Sequence, residues 1–168
     1  MQQQSKIVRY ISEISARDRE RFYQFACSPY FNQHDKTKEL LEIVLEYIEK
    51  PNGQLDRKPL FKRLFPGEKY NEQQLHNTLS YLKKLYNRFL AFQYIDSQSL
   101  REQLFTLEAA FEANQFDLLT NRAKQLEKTM EKYPFHDGDF HFVSYRYNSL
   151  LGYYSSGYID RFKSESFQ

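Results

Sequence analysis

The densest group of side chains able to do chemistry lies between residues 136 and 141, in the sequence HDGDFH. Two imidazoles and two carboxylates are ligand types that bind zinc and other divalent metals. The chain has, however, no pair of histidines spaced to meet on one helical face. We therefore interpret this segment as a polar loop in which Asp139 caps the next helix, and we predict no metal and no cofactor.

Cys27 is the single cysteine of the chain and the second candidate for chemistry. A thiol becomes a nucleophile when a neighbouring base activates it, but Cys27 follows Phe25 and Ala26 on an amphipathic pattern that favours a buried structural role. No phosphate-cradling glycine motif is present, and no two acids are singled out for acid–base catalysis. The sequence thus predicts that the protein is not an enzyme, with a site assembled from distant helices as the alternative.

Positive charge is concentrated in residues 57–88, which hold eight Lys or Arg against two Glu in a chain of net charge +2. The segment predicts a short helix, a turn at Pro66-Gly67 and a long helix. This order is similar to the winged-helix DNA-binding domains of some bacterial transcriptional activators, although no Gly-marked β-hairpin follows. The resemblance implies nucleic-acid contacts from Lys62, Arg63, Lys69, Lys83, Lys84 and Arg88.

Helices are the elements that must position these side chains. Glycine and proline number five each, which leaves little turn chemistry for many short strands, and apolar residues recur at steps of three and four. The pattern predicts an all-α fold with helices over 6–14, 16–27, 35–50, 56–65, 72–95, 100–113, 116–133 and 139–155.

Four polar residues stand where they can cap the predicted helices: Ser15, Asp56, Asn71 and Asp139. Asn71 with Gln74 three residues later approximates a capping box. On the long helix after Asn71, one face carries a continuous apolar stripe of Leu75, Leu79, Leu82, Tyr86, Phe89 and Phe92.

The chain is predicted to have two parts, a helical bundle over 1–96 and a region of antiparallel helical hairpins over 97–168. Residues 109–134 resemble a tetratricopeptide repeat in their order of helix, short turn, helix and proline. The last predicted helix is apolar on two sides, since Phe142 and Tyr145 lie away from the face of Val143 and Tyr147. We therefore expect that the chain continues as a longer helical array or that this helix packs on another copy. An alternative role for the aromatic residues of 140–158 is the stacking of nucleobases.

Two short motifs carry a family resemblance. SPYFN, at residues 28–32, and LFPG followed by YN, at 64–67 and 70–71, look like the N-terminal region of a group of uncharacterised bacterial helical proteins. The resemblance covers roughly the first hundred residues and implies a helical fold but no activity and no catalytic residues. From the residues alone, Tyr30 and Phe31 are expected to fold back onto the core, Asn32 to satisfy local backbone groups, and Gly67 to allow a sharp turn.

These observations favour a non-enzymatic scaffold or protein-interaction module, because stacked helices offer extended surfaces. The expected partner is another protein, further helices of the same chain or another copy, and DNA binding through residues 57–88 is the alternative. The unpaired cysteine fits a cytoplasmic setting. No apolar run has the length of a membrane span, so no membrane partner is expected.

Overall fold

The computed structural model describes residues 5–51 and 55–155. This part of the chain is all-helical and contains no strand, which confirms the predicted fold class. Each predicted helix is present, with ends that differ by at most about two residues from the predicted ones. The helices are α1 (Lys6–Glu13), α2 (Ala16–Cys27), α3 (Asp35–Glu49), α4 (Arg57–Leu64), α5 (Glu72–Asp96), α6 (Ser99–Glu112), α7 (Phe116–Glu131) and α8 (Gly138–Ser155).

The chain divides into two compact units, Met1–Phe92 and Gln93–Gln168. In the first unit the core is built around the fully buried ring of Phe22. The centroid of this ring lies 5.2 Å from those of both Tyr86 and Phe89 on α5. The predicted apolar stripe of α5 is buried from Leu75 to Phe89. Its last member, Phe92, packs against Phe25 and Phe31 but keeps 50% of its surface exposed.

Two of the predicted helix caps are confirmed. The Ser15 hydroxyl accepts a hydrogen bond from the Asp18 N–H at 3.1 Å, and the Asn71 carbonyl Oδ1 accepts one from the Gln74 N–H at 3.1 Å. The Gln74 side chain does not complete a capping box, since it donates to Glu68 at 3.1 Å. Asp56 precedes α4 as predicted, but its side chain makes no cap hydrogen bond.

The prediction that Asp139 caps the last helix was wrong, because the capping residue lies two positions earlier. Asp137 holds this position, and its carboxylate accepts a hydrogen bond from the Phe140 N–H at 2.9 Å. Asp139 instead forms an ion pair with Arg101 of α6. Both aspartates precede the same apolar pattern, so the sequence does not distinguish the cap from the residue that reaches another helix.

Replacing the capping carboxylate tests this assignment. We expect Asp137→Ala to lower the free energy of unfolding by about 1 kcal/mol, because the Phe140 N–H loses its acceptor. Asp137→Asn keeps an acceptor at the same place, so its free energy of unfolding should fall by only a few tenths of a kcal/mol. Urea denaturation followed by circular dichroism measures both variants. An Asp137→Ala protein as stable as the wild type would remove Asp137 from this role.

In the second unit, α6 packs against both α7 and α8. The Thr129 hydroxyl near the end of α7 donates to Gln103 near the start of α6 at 3.1 Å, so these two helices form an antiparallel hairpin. At the intervening turn Asn114 adopts the left-handed conformation, with φ of 55°. Helices α6 and α8 are related differently from α6 and α7. Arg101 of α6 pairs with Asp139 of α8, and seven residues further along each helix Glu108 pairs with Arg146. Thus α6 and α8 run in the same direction.

The second apolar side of α8 is present and exposed. Phe142 is 41% and Tyr145 70% exposed, whereas Val143 and Tyr147 are buried in the core of the second unit. What covers this side, a longer array or another copy, stays a prediction. Within the described residues, no helix combines the length and apolar character needed to cross a membrane.

Candidate functional site

A stripe of polar and aromatic side chains runs along α5 beside its buried face. Asn77, Tyr81, Lys84 and Arg88 follow one another at steps of four, three and four residues, which places them on one side of the helix. All four are exposed to solvent, and Tyr81 retains 45% of its surface. Because α5 is anchored by the buried residues next to this stripe, the stripe is held on a rigid element.

The loop after α2 lies opposite this stripe. Pro29 follows the last turn of α2, and the N–H groups of Phe31 and Asn32 both bond the Ser28 carbonyl, at 3.1 and 3.0 Å. The Asn32 side chain then fixes the loop, donating to the Ala26 carbonyl at 2.9 Å and accepting from the His34 N–H at 2.9 Å. The role predicted for Asn32 is confirmed.

The two aromatic residues of the loop have different environments. The Phe31 ring stacks on Phe25, with centroids 4.0 Å apart and planes 14° apart, and is half-buried as predicted. The prediction for Tyr30 was wrong, because this side chain is 80% exposed. Tyr30 touches the edge of Phe31 and otherwise offers its ring to solvent. A large, solvated aromatic ring on a fixed loop is available to a partner.

Together the loop and the α5 stripe enclose a cleft of about 360 Å³, here called the loop–α5 cleft. Its walls are made by Tyr30, Phe31, Asn32, Gln33, His34, Tyr81, Lys84, Leu85 and Arg88. A second depression of about 210 Å³ adjoins it, sharing Tyr81 and Lys84. The volume is at the lower end of the range for ligand pockets, which suits one or two side chains or a small molecule.

Cations and aromatic rings alternate around the cleft. The His34 and Tyr81 rings lie 4.4 Å apart between centroids. The Lys84 ammonium lies 5.4 Å from the centre of the Tyr81 ring, and the Arg88 guanidinium 5.5 Å from the centre of the Phe31 ring. Such cation–π contacts hold the charged ends near the cleft without neutralising them.

The charge of the cleft is not balanced from within. No aspartate or glutamate contributes to its walls, and within the described residues neither Lys84 nor Arg88 forms an ion pair. Other arginines of the basic segment differ in this respect, since Arg57 pairs with Glu72 and Arg63 with Glu46. The cleft thus brings together two cations of the segment that have no ion-pair partner among the described residues, and it places them beside aromatic rings.

The six residues predicted to contact nucleic acid fall in three places. Lys62 and Arg63 lie on the exposed side of α4, and Lys69 lies in the turn between α4 and α5. The remaining three, Lys83, Lys84 and Arg88, are on α5, but only Lys84 and Arg88 line the cleft. The structure thus brings two of the six to one site.

Sequence reasoning missed the aromatic half of the cleft. Tyr81 and His34 are separated by 47 positions, and no local pattern links the loop that contains His34 to α5. One signal was present, because Asn77, Tyr81, Lys84 and Arg88 share helical spacing and lie off the apolar stripe. The sequence gives no means of showing that the SPYFN loop would face this stripe.

The histidine and acid cluster of residues 136–141 is arranged by other contacts. Asp137 caps α8, Asp139 pairs with Arg101, and the His136 ring stacks on Phe140 with centroids 4.3 Å apart. Throughout residues 5–51 and 55–155, no three His, Cys, Asp or Glu side chains are grouped so as to hold a metal ion.

Cys27 is half-buried near the Tyr23 hydroxyl rather than beside a free base. That hydroxyl donates to Glu42 at 2.9 Å, and this hydrogen bond is the main reason why the pKa of Tyr23 is raised to about 12. A tyrosine hydroxyl is protonated at neutral pH, and the hydrogen bond to Glu42 moves the ionisation of Tyr23 further from that range.

Comparison of the chain with protein-family models, with curated proteins and with solved structures gives no match. The functional argument therefore depends on the geometry of the cleft.

Proposed function

We propose that this chain is a non-enzymatic protein-interaction module whose loop–α5 cleft binds an acidic segment of a partner protein. The observation that carries the proposal is the uncompensated charge of Lys84 and Arg88, which lie over the exposed ring of Tyr81 and the half-buried ring of Phe31. Tyrosine and arginine dominate the residues that contribute most to binding at protein interfaces. Carboxylates of the partner would meet the two cations, and an apolar side chain would cover Tyr30.

The geometry also favours binding by limiting its entropic cost. The cations are already held over aromatic rings, and the loop is fixed by Asn32. Side chains that are ordered before association lose less freedom when a partner arrives. Helices α6, α7 and α8 are proposed to serve as a scaffold for this module. The cytoplasm is proposed as its location, because an unpaired cysteine suits a reducing compartment.

Selection from a displayed library of random peptides tests the proposal. We expect enrichment of peptides that join Asp or Glu to a large apolar residue. Their affinity, measured by fluorescence anisotropy, should fall about tenfold or more in Arg88→Ala, because truncating a central interface arginine costs about 2 kcal/mol.

Lys83→Ala is the matched control for this experiment. Lys83 has the same charge as Lys84, is its neighbour on α5 and lies outside the cleft. Its replacement should leave the affinity within about twofold, since exposed charges at the rim of an interface contribute little. Failure to enrich any peptide, or equal binding of the selected peptides by Arg88→Ala, would contradict the proposal.

A second candidate function is DNA binding, favoured by the three exposed cations of α5, Lys83, Lys84 and Arg88. It predicts a duplex affinity that falls steeply with salt and that depends on Lys83 as much as on Lys84. Two features oppose a helix-turn-helix: seven residues, 65–71, separate α4 from α5, and within residues 5–51 and 55–155 no strand forms a wing. The Lys83→Ala variant distinguishes the two candidates, because only DNA binding requires this residue.

A further inference from the structure

The arrangement of Lys84 and Arg88 constrains the anion that the cleft accepts. The two residues are one helical turn apart on the same side of α5, where side chains are neighbours, and both line the cleft. Among the residues that the structure describes, no carboxylate contributes to the walls of the cleft, so the two positive charges are uncompensated there. One carboxylate would balance only one of these charges, whereas a dianion would balance both.

We infer that the cleft recognises a phosphorylated side chain in the partner segment, an inference that rests on the function proposed above. A phosphate monoester carries a charge of about −1.5 to −2 at neutral pH and offers three strong acceptor oxygens. Arg88 presents a planar fork of donors suited to two of these oxygens, and Lys84 supplies a compact point charge. Recognition of phosphorylated segments by clustered cations is an established mode of peptide binding.

The other walls of the cleft have complementary roles. His34 lies beside Tyr81 at the edge of the cleft and adds a ring nitrogen able to donate a hydrogen bond to an anion. Tyr30 and Phe31 form an apolar wall next to Arg88, so the chain flanking the phosphorylated residue can place an apolar side chain there. The cleft thus combines a place for a dianion with a place for an adjacent apolar residue.

The test compares short degenerate peptide pools with a central phosphoserine or phosphotyrosine against the same pools with the unmodified residue. We expect the full chain to bind a phosphorylated pool about tenfold or more tightly than its unmodified counterpart, as judged by fluorescence anisotropy at fixed salt. Arg88→Lys retains the charge but loses the fork, and Lys84→Gln loses the charge. Both variants should lose most of this preference, while Lys83→Gln should keep it.

Each alternative outcome has a defined meaning. Equal binding of phosphorylated and unmodified pools would overturn this inference, and if the acidic peptides from the display selection still bind, the proposed function survives. If neither those peptides nor any pool binds, both fail. A phosphorylated pool that binds although the display selection enriches nothing would support phosphate recognition and overturn the proposal that carboxylates are sufficient ligands. If Lys83→Gln lost the preference as much as Arg88→Lys and Lys84→Gln do, the assignment to the cleft would be overturned. If inorganic phosphate or adenosine 5′-monophosphate bound more tightly than the phosphorylated pools, the inference would be overturned in favour of a small-molecule site.

Discussion

The Phe22→Ala protein is expected to lose about 3–5 kcal/mol of its free energy of unfolding. Phe22 is fully buried, and its ring meets the edge of Tyr86 and lies against Phe89. Truncation removes the apolar surface of the ring and these aromatic contacts, and it leaves a cavity between α2 and α5 that the surrounding side chains fill only in part. Chemical denaturation followed by circular dichroism measures the loss.

The matched control is Phe92→Ala, which makes the same change at the half-exposed end of the same aromatic group. Phe92 contacts Phe25 and Phe31, with centroid distances of 5.7 and 5.0 Å, but half of its surface faces solvent. We expect a loss of about 1 kcal/mol for this variant. If Phe22→Ala lost no more than Phe92→Ala, the described packing of α2 on α5 would be incorrect.

The Leu104→Ala protein should lose about 2–5 kcal/mol of stability, the second large effect. Leu104 is fully buried in the core of the second unit, together with Leu107, Leu119 and Leu126. It lies on α6, which packs against both α7 and α8, so a cavity here weakens two helix contacts at once. The effect is measured by the same denaturation experiment.

The adjacent residue provides the control for Leu104. Phe105 is larger but 37% exposed, and Phe105→Ala should therefore cost less than half as much, although it removes more apolar atoms. Equal losses for the two variants would show that burial is not what distinguishes these positions, and the orientation of α6 would have to be revised.

The helices were predictable because their signal is repeated along each one. In α7, Leu119, Ala123 and Leu126 recur at helical spacing and are all buried, so an error at any one position would not have changed the prediction. Single-residue contacts lack this redundancy. Asp137 and Asp139 are both plausible caps, and the choice between them depends on Arg101, which lies 38 positions from Asp139. Phe92 continues the spacing of its stripe, but Phe25 and Phe31 cover only about half of its surface.

The candidate site was predictable only in part, for a related reason. Lys84 and Arg88 were identified from local charge within a single helix, where sequence spacing fixes the face. His34 and Tyr81 become neighbours through the packing of α2, the SPYFN loop and α5, which no local pattern records. Tyr30 was expected to fold back onto the core together with Phe31, but the turn after Pro29 leaves Tyr30 in solvent while Phe31 stacks on Phe25.

The most direct test of the central claim, that the loop–α5 cleft is the binding site, is a chemical-shift map. Backbone amide signals of the isotope-labelled chain would be followed as a peptide obtained from the display selection is added. Changes concentrated at residues 30–34 and 77–88, with α6, α7 and α8 unaffected, are the predicted result. Changes centred on the exposed aromatic side of α8, with the cleft silent, would contradict the account.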